Sequence, residues 1–455
     1  MRSILIKNAD YLVTSNDRGQ ILRRASLLIE DNLIASINPK NKLADKVINA
    51  RGKVVLPGLI NTHHHLFQAF MRHHDELQNQ KIDKWIGKVA FLAKKMNPEA
   101  HYYAALVNLA ELLLSGCTTT TDMLYLFPKK YSHEELFSAG IRAAQNLGIR
   151  FHPYRGSMSL SQKDGALFPD DTVETSEEII ERTTAMIEKY HNEGRSGMVK
   201  VGIAPCTVFT NTAQDYLNAT ETAKKYNVNL QTHVSESEYE QEYILQKFKT
   251  TPLEYIQSLG WNDLRVSWVH GIELNKQDLK LIQKHKQSIC HCPISNARSA
   301  VDQKGVAPVW EMLKAGVNIC LGVDGSAGND SSNILEEMRW ARTLQGVRSE
   351  ATYLKPMEVF YMATMGGAKA LRWDDMLGSL EPGKCADIAI FDINDSVGHV
   401  GAWDKVGSLI SCQAKRADTV IINGKIIVKD GQLLSQDESR LIKKAWKVWN
   451  KIYGA

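Results

Sequence analysis

Eight short apolar runs pass through the middle of the chain, and helical patterns separate them. They span residues 54–60, 118–123, 150–154, 199–205, 228–234, 266–270, 288–292 and 317–323. Runs of this length bounded by polar turns are typical of buried strands, and strands that alternate with helices form parallel βα units. Eight such units predict an α/β fold, a (β/α)8 TIM barrel with inserted loops. The clearest helix is expected over 98–114, with Asn97 as its N-cap.

Both ends of the chain carry short strands and turn residues instead of this alternation. Asp31-Asn32 near one end, and Asn423-Gly424 and Asp430-Gly431 near the other, are typical of hairpin turns. We therefore expect one small β-sandwich domain built from both termini. The predicted boundaries are 1–56 and 376–455 for its two parts, the second with a terminal helix, and 57–375 for the barrel.

Charge and cysteine content argue against several classes of partner. The 455 residues carry a net charge of +4, and Lys and Arg form no runs longer than pairs, so we expect no nucleic-acid partner. Apolar stretches do not approach the roughly 20 residues of a membrane span, so we expect no membrane partner. The N-terminal residues include charges where a signal peptide is apolar. Seven widely spread cysteines indicate a cytoplasmic protein without a disulfide framework.

Polar segments follow four of the predicted strands at their carboxyl ends. They contain His63-His64-His65, His233 with Glu236, His270, and Asp324. A TIM barrel gathers the carboxyl ends of its strands at one face. Imidazoles and carboxylates that converge there are what a hydrolytic zinc or iron centre needs. The sequence therefore predicts a single metal site at this face.

The spacing of the first two histidines supports a shared metal. His63 and His65 lie two residues apart at the end of an extended run, and residues at i and i+2 of a strand point to the same face. Both imidazoles can therefore reach one ion, while His64 points the other way. A lone His-x-His is more often a histidine-rich loop, but the other strand ends argue against that interpretation.

The remaining candidates are catalytic residues. Glu236 is expected above the barrel mouth, where a carboxylate can take a proton from water and deliver it to a leaving group. The alternative for Glu236 is a solvated charge. His270 could bind the metal or polarise the substrate. Asp324 could bind the metal and also accept a proton, and its alternative is a helix N-cap.

A second pair of potential metal ligands occurs in the seventh strand. Cys290 and Cys292 could form half of a structural zinc site, but the sequence holds no matching second pair. We therefore expect both thiols to lie in the core.

The strand-end segments resemble the amidohydrolase superfamily, in its branch of cytosine, guanine and S-adenosylhomocysteine deaminases and atrazine chlorohydrolases. The matching residues are Pro57, Gly58, His63, His65, His233, Glu236, His270, His291, Cys292, Pro293, Ser295, Asn296, Gly322, Asp324 and Gly325. The resemblance implies a hydrolytic deaminase with one divalent metal, zinc or alternatively iron. The implied ligands are His63, His65, His233 and Asp324, with His270 acting from outside the ligand set. The resemblance also implies a small heterocyclic substrate and a homo-oligomer.

Within this branch the chain is similar to the 8-oxoguanine deaminases, which implies conversion of 8-oxoguanine to urate and ammonia. Guanine deaminases carry an arginine in the region of Cys206, whereas Thr207-Val208-Phe209 is similar to isoxanthopterin deaminases. An s-triazine amino- or chlorohydrolase is a further alternative. A non-catalytic relative that keeps the barrel as a scaffold would usually lose metal ligands that this chain retains.

Four residues are expected to contact the substrate. Gln68 lies three residues past His65 and is expected to touch the heterocycle. Arg155 and Cys206, at the ends of the third and fourth strands, are expected to read its carbonyl edge. Trp85 in the first inserted loop is expected to cap the ring. The alternatives are a structural salt bridge for Arg155 and surface-helix packing for Trp85.

Overall fold

The structure of the chain is a computed structural model. It describes residues 3–16, 19–41, 43–192, 194–262, 265–298, 305–348, 354–394, 396–412 and 416–454, without the side chain of residue 83. The strands are β1 Ser3–Val13, β2 Ile21–Glu30, β3 Leu33–Ile37, β4 Lys46–Asn49, β5 Lys53–Pro57, β6 Leu59–Asn61, β7 Cys117–Leu124, β8 Arg150–Ser157, β9 Gly202–Pro205, β10 Leu230–Val234, β11 Val266–His270, β12 Ser288–His291, β13 Asn318–Leu321, β14 Ile388–Asp392, β15 Thr419–Ile422, β16 Lys425–Lys429 and β17 Gln432–Leu433.

The α-helices lie mostly between the strands of the middle region. They are α1 Ile82–Ala93, α2 Pro98–Leu114, α3 His133–Leu147, α4 Ser176–Tyr190, α5 Ala213–Tyr226, α6 Glu238–Phe248, α7 Pro252–Ile256, α8 Lys276–Lys284, α9 Pro293–Arg298, α10 Val309–Lys314, α11 Ser326–Asn329, α12 Ile334–Arg348, α13 Pro356–Tyr361, α14 Gly367–Ala370, α15 Ser408–Ser411 and α16 Glu438–Tyr453. Among the described helices, none is long and apolar enough to cross a bilayer.

Strands β6 to β13 form a parallel sheet of eight strands in which each strand pairs with the next along the chain. Two backbone hydrogen bonds link its first and last members. Thr62 N donates to Leu321 O at 2.9 Å, and Asp324 N donates to His63 O at 3.1 Å. Helices α2, α3 and α5 pack against β7, β8 and β9. The sheet is therefore a nearly closed barrel, and the predicted (β/α)8 fold is confirmed.

A separate mixed sheet contains strands from both ends of the chain. Its order is β17-β16-β15-β14-β5-β1-β2-β3, with β4 against β1. The two ends meet where β5 and β14 pair antiparallel. The sheet has its own apolar cluster, consistent with the predicted β-sandwich domain. Asn423 and Gly424 connect β15 to β16 with φ of +49° and +73°, as expected for a two-residue hairpin turn.

The first predicted strand is divided between the two sheets. Residues 53–57 form β5, which pairs with β14 and β1, whereas residues 59–61 form β6, which pairs with β7. Gly58 lies at the crossing, where a Cβ atom would come within 2.0 Å of Thr118 Oγ1. Only glycine lets the chain pass so close to β7. In the sequence the two strands form a single apolar run because each of them is buried in its own sheet.

Helix α2 spans the predicted residues. The Asn97 side chain accepts a hydrogen bond from Ala100 N at 2.9 Å, and Pro98 occupies the first turn. The C-terminal helix α16 packs on α2 of the barrel. Trp449 Nε1 in α16 donates to Phe70 O at 3.0 Å. The last segment of the chain therefore contacts the barrel.

Candidate metal centre and active site

The carboxyl ends of the barrel strands bring His63, His65, His233, His270 and Asp324 together, and all five are buried. Nε2 of His63 and Nε2 of His65 each lie 3.4 Å from Asp324 Oδ1. Nε2 of His65 lies 3.3 Å from Nε2 of His233. Among the described residues, ligand atoms of His63, His233 and His270 also lie within 4.8 Å of one another. We call these five residues the metal cluster.

Hydrogen bonds behind two of the rings fix which nitrogen faces the metal cluster. His65 Nδ1 is 2.8 Å from Met123 O, and His233 Nδ1 is 2.8 Å from Cys206 O. Because a carbonyl oxygen only accepts, each Nδ1 carries the proton and donates it. Each Nε2 therefore keeps its lone pair. The 3.3 Å contact between these two Nε2 atoms joins two acceptors, and a cation between them would satisfy both.

His63 is oriented by Gln231. Gln231 Nε2 donates to Thr62 O at 2.9 Å, which turns Oε1 toward His63 Nδ1 at 2.8 Å. That Nδ1 must donate, so Nε2 of His63 presents its lone pair to the metal cluster. Within the described part of the chain this buried Nε2 has no hydrogen-bond partner. An orphaned buried acceptor of this kind is expected at a metal site.

The spacing of the facing atoms suits the ligands of a single metal ion. Bonds of about 2.0–2.1 Å from a metal to nitrogen or oxygen place neighbouring ligand atoms about 3.3–3.4 Å apart. The measured separations are 3.3 and 3.4 Å. Burial and the neighbouring histidines lower the pKa of His65 to about 3 and that of His233 well below its usual value. Both rings are therefore neutral, as ligation requires, and the residues fit a divalent metal.

Asp324 is held on both of its oxygens. Oδ2 accepts from Ser295 Oγ at 2.5 Å, and Oδ1 accepts from Gly325 N at 2.6 Å. Hydrogen bonds donated to a carboxylate favour its ionised form. Asp324 is therefore ionised. The N-cap residue of the following helix α11 is Gly325 and not Asp324, and this helix has no side-chain cap.

Three strand ends at this face turn sharply. Ser235, His270 and Asp324 have φ values of +51°, +73° and +59°. Non-glycine residues rarely adopt this left-handed conformation, and it recurs at functional sites where neighbouring contacts impose it. The turns direct the side chains back over the barrel mouth.

Glu236 lies at the mouth of the metal cluster. Its Oε1 is 3.6 Å from His270 Nε2, and its side chain is 13% exposed. Its backbone N–H donates to Glu240 Oε2 at 2.9 Å. Glu240 is buried, and burial raises its pKa to about 8, while Glu238 is exposed. Glu236 is thus the carboxylate of this segment that reaches the cluster.

The segment after β12 orients two members of the metal cluster. His270 Nδ1 is 2.8 Å from Asn296 Oδ1, and neighbouring Ser295 binds Asp324. The His270 ring stacks on His233, with ring centroids 5.4 Å apart and planes inclined by 18°. Ser295 and Asn296 match the family motif, but the sequence alone predicts no role for either residue.

Gln68 and Tyr125 lie beside the metal cluster. Gln68 Oε1 accepts from Ala327 N at 3.2 Å, just past Asp324, and its Nε2 is 3.5 Å from Tyr125 OH. The Tyr125 ring lies 4.9 Å from the His65 ring, edge to face. Sequence reasoning missed Tyr125, although it directly follows the residues of β7.

Two further predictions concern side chains at the edge of the site. Trp85 on α1 is partly buried and packs against the main core, with its Cζ2 3.9 Å from where a Cβ of Gly328 would lie. His64 points away from the metal cluster, as the strand alternation predicts. Its Nε2 lies 2.9 Å from Ser332 Oγ, so its ring supports the loop behind the cluster.

Cys206 follows β9 inside the site. Its carbonyl accepts from His233, and its Sγ lies 3.8 Å from the same Nδ1. Burial and then the charge of Glu236 raise the pKa of the thiol well above its usual value. Cys206 therefore offers the site a small, neutral side chain.

The prediction that Arg155 reads the substrate is wrong. Arg155 is buried, and its Nη2 lies 2.6 Å from both carboxylate oxygens of Glu174. Its guanidinium also lies 4.4 Å from the Phe127 ring centroid. In a strand, alternate residues share a face, so Arg155 points outward with Phe151, which packs against Gly140 of α3. The structural salt bridge is the interpretation that the structure supports.

The paired thiols lie in the core as expected. Cys290, Cys292 and Cys320 form a small buried apolar cluster, and Thr62 Oγ1 donates to Cys290 Sγ at 3.0 Å. Among the described residues, the groups able to hold a metal all belong to the metal cluster.

Comparison with known proteins agrees with this geometry. The sequence profile of the amidohydrolase family matches residues 54–427. An 8-oxoguanine deaminase from Pseudomonas aeruginosa is 38% identical over 423 residues, 92% of each chain. A 5-methylthioadenosine/S-adenosylhomocysteine deaminase from Thermoanaerobacter pseudethanolicus is 31% identical over 447 residues, 97% of each chain. The atrazine chlorohydrolase of Arthrobacter aurescens TC1, solved with zinc, superposes with a TM-score of 0.91 at 29% identity and covers 98% of this chain and 100% of its own.

The relatives cover nearly the full length of the chain, so the similarity extends over both the barrel and the small sheet. Both of these sequence relatives are named deaminases, and the chlorohydrolase was solved in complex with zinc. This chain is accordingly a hydrolase that acts on carbon–nitrogen bonds, with a site for a divalent metal. It belongs to the amidohydrolase family.

Proposed function

We propose that the chain deaminates 8-oxoguanine to urate and ammonia with the help of one zinc ion. The observation that carries the proposal is the small, neutral Cys206 beside the metal cluster, in a region where the family resemblance implies an arginine in guanine deaminases. The relative that is 38% identical is named an 8-oxoguanine deaminase.

The proposed metal ligands are His63, His65, His233 and Asp324. Three imidazole nitrogens and one carboxylate would suit zinc, and the separations of 3.3–3.4 Å between their facing atoms suit ligands of one ion. When bound, a divalent ion acidifies water and so supplies a nucleophile near neutral pH. His270 is the fourth imidazole of the cluster. Its Nε2 lies 3.6 Å from Glu236 Oε1, so we propose that His270 contacts the substrate and is not a metal ligand.

Glu236 is proposed to carry the protons of the reaction. The oxygen of water bonds to the ring carbon that bears the amine, and the bond from that carbon to the amine breaks. Glu236 takes one water proton and passes it to the adjacent ring nitrogen, then passes the second to the amine, which leaves as ammonia. Its partial exposure at the cluster's mouth suits this transfer, which is typical of general acid–base residues.

His270 and Asp324 support the same step. Asn296 holds His270 through Nδ1, so Nε2 is directed toward the place where charge develops on the substrate. Asp324 is ionised and lies 3.4 Å from two imidazoles, so it can hold the metal and also accept the second water proton before Glu236 passes that proton to the amine.

The edge of the ring is proposed to meet neutral groups. Gln68, Tyr125 and Cys206 lie around the metal cluster, and Arg155 points out of the barrel into its ion pair with Glu174. A site without an arginine fork lacks the two parallel donors that bind a carbonyl strongly. Such a site disfavours a ring that depends on those donors.

The proposal is tested by comparing kcat/KM for 8-oxoguanine, guanine, isoxanthopterin, S-adenosylhomocysteine and an amino-s-triazine at equal metal loading. We expect 8-oxoguanine to be the best substrate, with ammonia released in a one-to-one ratio with urate. If guanine is preferred, the argument from Cys206 is wrong. If isoxanthopterin, the nucleoside or the triazine is preferred, the deaminase assignment stands and the named substrate does not.

Variants show whether the activity comes from this site. Glu236→Gln should keep its metal and lose about 10²–10⁴-fold in kcat. Cys206→Ala should change the ratio of kcat/KM between 8-oxoguanine and guanine. Cys117→Ala, a buried thiol at the opposite end of β7, is the matched control and should leave that ratio unchanged.

A further inference from the structure

The opposite end of the barrel holds two adjoining cavities. One encloses about 300 Å³ and the other about 230 Å³, and Arg265 and Arg372 line both. Arg265 directly precedes β11, and Arg372 follows α14. These residues lie at the amino ends of the strands, whereas the metal cluster lies at the carboxyl ends. We call this region the barrel floor.

Cations dominate the lining of the barrel floor. Lys286 and Lys369 line the first cavity and Lys200 lines the second, in addition to the two shared arginines. Asp374 is the carboxylate among the described lining residues of the first cavity. The local charge is therefore strongly positive, although the whole chain carries only +4.

The two shared arginines have few protein partners. Arg265 Nη1 donates to Asn227 O at a long 3.4 Å. For Arg372, no side-chain hydrogen bond or ion pair occurs with any residue that the structure describes. Burial and then the nearby charge of Arg372 lower the pKa of Arg265. The chain thus holds two like charges close together, and neither forms an ion pair with a residue that the structure describes.

The two buried arginines of the described chain, Arg150 and Arg155, are each paired with a carboxylate. Arg150 binds both oxygens of Asp387 at 2.9 and 3.0 Å, and Arg155 binds Glu174. Arg265 is partly buried and Arg372 is exposed, yet the two lie close together without an ion-pair partner among the described residues, and a nearby like charge makes this arrangement unfavourable. A bound anion would supply the missing partner.

Other polar groups of the second cavity are consistent with a ligand. His152 lines this cavity and is 1% exposed. Its Nδ1 has no hydrogen-bond partner among the described residues, while its Nε2 meets Asn229 at 3.2 Å. Burial, Arg150 and Arg265 lower the pKa of Lys200 to about 8, against the opposing effect of Asp375. An anion beside Lys200 would reverse that shift.

We propose that the barrel floor binds a phosphate-bearing small molecule, with its phosphate between Arg265 and Arg372. Guanidinium groups bind phosphate through paired hydrogen bonds. Both cavities are larger than a phosphate group, so the first or second cavity can also take an attached sugar. The site is separate from the metal cluster and from the reaction there.

Isothermal titration of the metal-loaded protein, at constant ionic strength, tests the proposal with inorganic phosphate and with ribose 5-phosphate. We expect one site per chain for at least one of them. Tighter binding of ribose 5-phosphate indicates a sugar phosphate, and equal binding indicates free phosphate. The absence of binding by both refutes the proposal.

Arg265→Gln and Arg372→Gln should each weaken this binding by about tenfold or more. Lys443→Gln, which removes an exposed cation from α16, is the matched control and should bind as the unaltered protein does. Binding that survives both arginine substitutions would come from another place, such as the metal cluster, and would overturn the assignment. Equal weakening in the control would reduce the effect to general charge attraction and would also overturn it.

Discussion

Replacement of Gln231 by leucine tests whether the hydrogen bond behind His63 supports metal binding. Gln231 is fully buried in β10, and its amide joins His63 Nδ1 to Thr62 O at 2.8 and 2.9 Å. Leucine has a similar volume but makes neither hydrogen bond. The change therefore leaves the proposed ligands in place and frees the His63 ring to rotate.

The expected losses follow from these two contacts. Each buried polar group left without a partner costs about 1–3 kcal/mol, so the free energy of unfolding of the metal-free protein should fall by roughly 2–6 kcal/mol. Removing the group that orients a ligating imidazole typically lowers metal affinity by about 10–100-fold. That range corresponds to about 1.4–2.7 kcal/mol of binding free energy.

Gln345→Leu provides a matched control. Gln345 is equally buried, accepts from Trp310 N at 3.2 Å and donates to Ala307 O at 3.0 Å. It should lose similar stability in urea unfolding and keep its metal affinity in chelator competition. If Gln231→Leu also keeps the affinity of the unaltered protein, the argument that Gln231 fixes the His63 tautomer for ligation is refuted.

Two other substitutions test the burial of charged and titratable groups. Arg155→Met should lower the free energy of unfolding by about 3 kcal/mol, because it leaves buried Glu174 with only Arg182 as an ion-pair partner among the described residues. Urea unfolding measures this loss. A changed preference among ring substrates would contradict the outward orientation of Arg155. Burial lowers the pKa of His101 to about 4, so between pH 6.5 and 4 the unfolded chain takes up a proton that the folded chain does not, and stability falls with falling pH. At pH 5 the buried His101 lowers the free energy of unfolding by about 2 kcal/mol. His101→Leu should abolish this loss when urea midpoints at pH 7.5 and 5 are compared, and an unchanged loss of stability at pH 5 in the variant would contradict the prediction.

The barrel and the metal cluster could be predicted because both depend on local patterns. Short apolar runs separated by helices indicate parallel strands, and the carboxyl ends of such strands meet at one face. His233 and Asp324 are 91 positions apart in the chain, yet each ends a predicted strand. The fold therefore brings them together without any information about side-chain packing.

Contacts that depend on the packing of distant segments could not be predicted in this way. Ser295 reaches Asp324 because α9 packs against α11, which follows Asp324, and Tyr125 meets Gln68 because the helical turn at 66–71 lies beside the loop after β7. Gly58 lets one apolar run change sheets by passing within contact distance of Thr118. None of these close contacts produces a periodic pattern in the sequence.

Arg155 shows that a strand-end position is not enough to place a residue in the site. Tyr154 points into the barrel, where it lies close to Gly202 of the next strand, so its neighbour Arg155 must point outward. The same alternation places Gln231 on the face of His233, two residues later, behind the metal cluster. A residue near a strand end therefore reaches the site only when the alternation of the strand directs its side chain into the barrel. Applied to β8, this rule assigns Arg155 to the helices outside the barrel, whereas Cys206, after β9, lies beside His233 of the metal cluster.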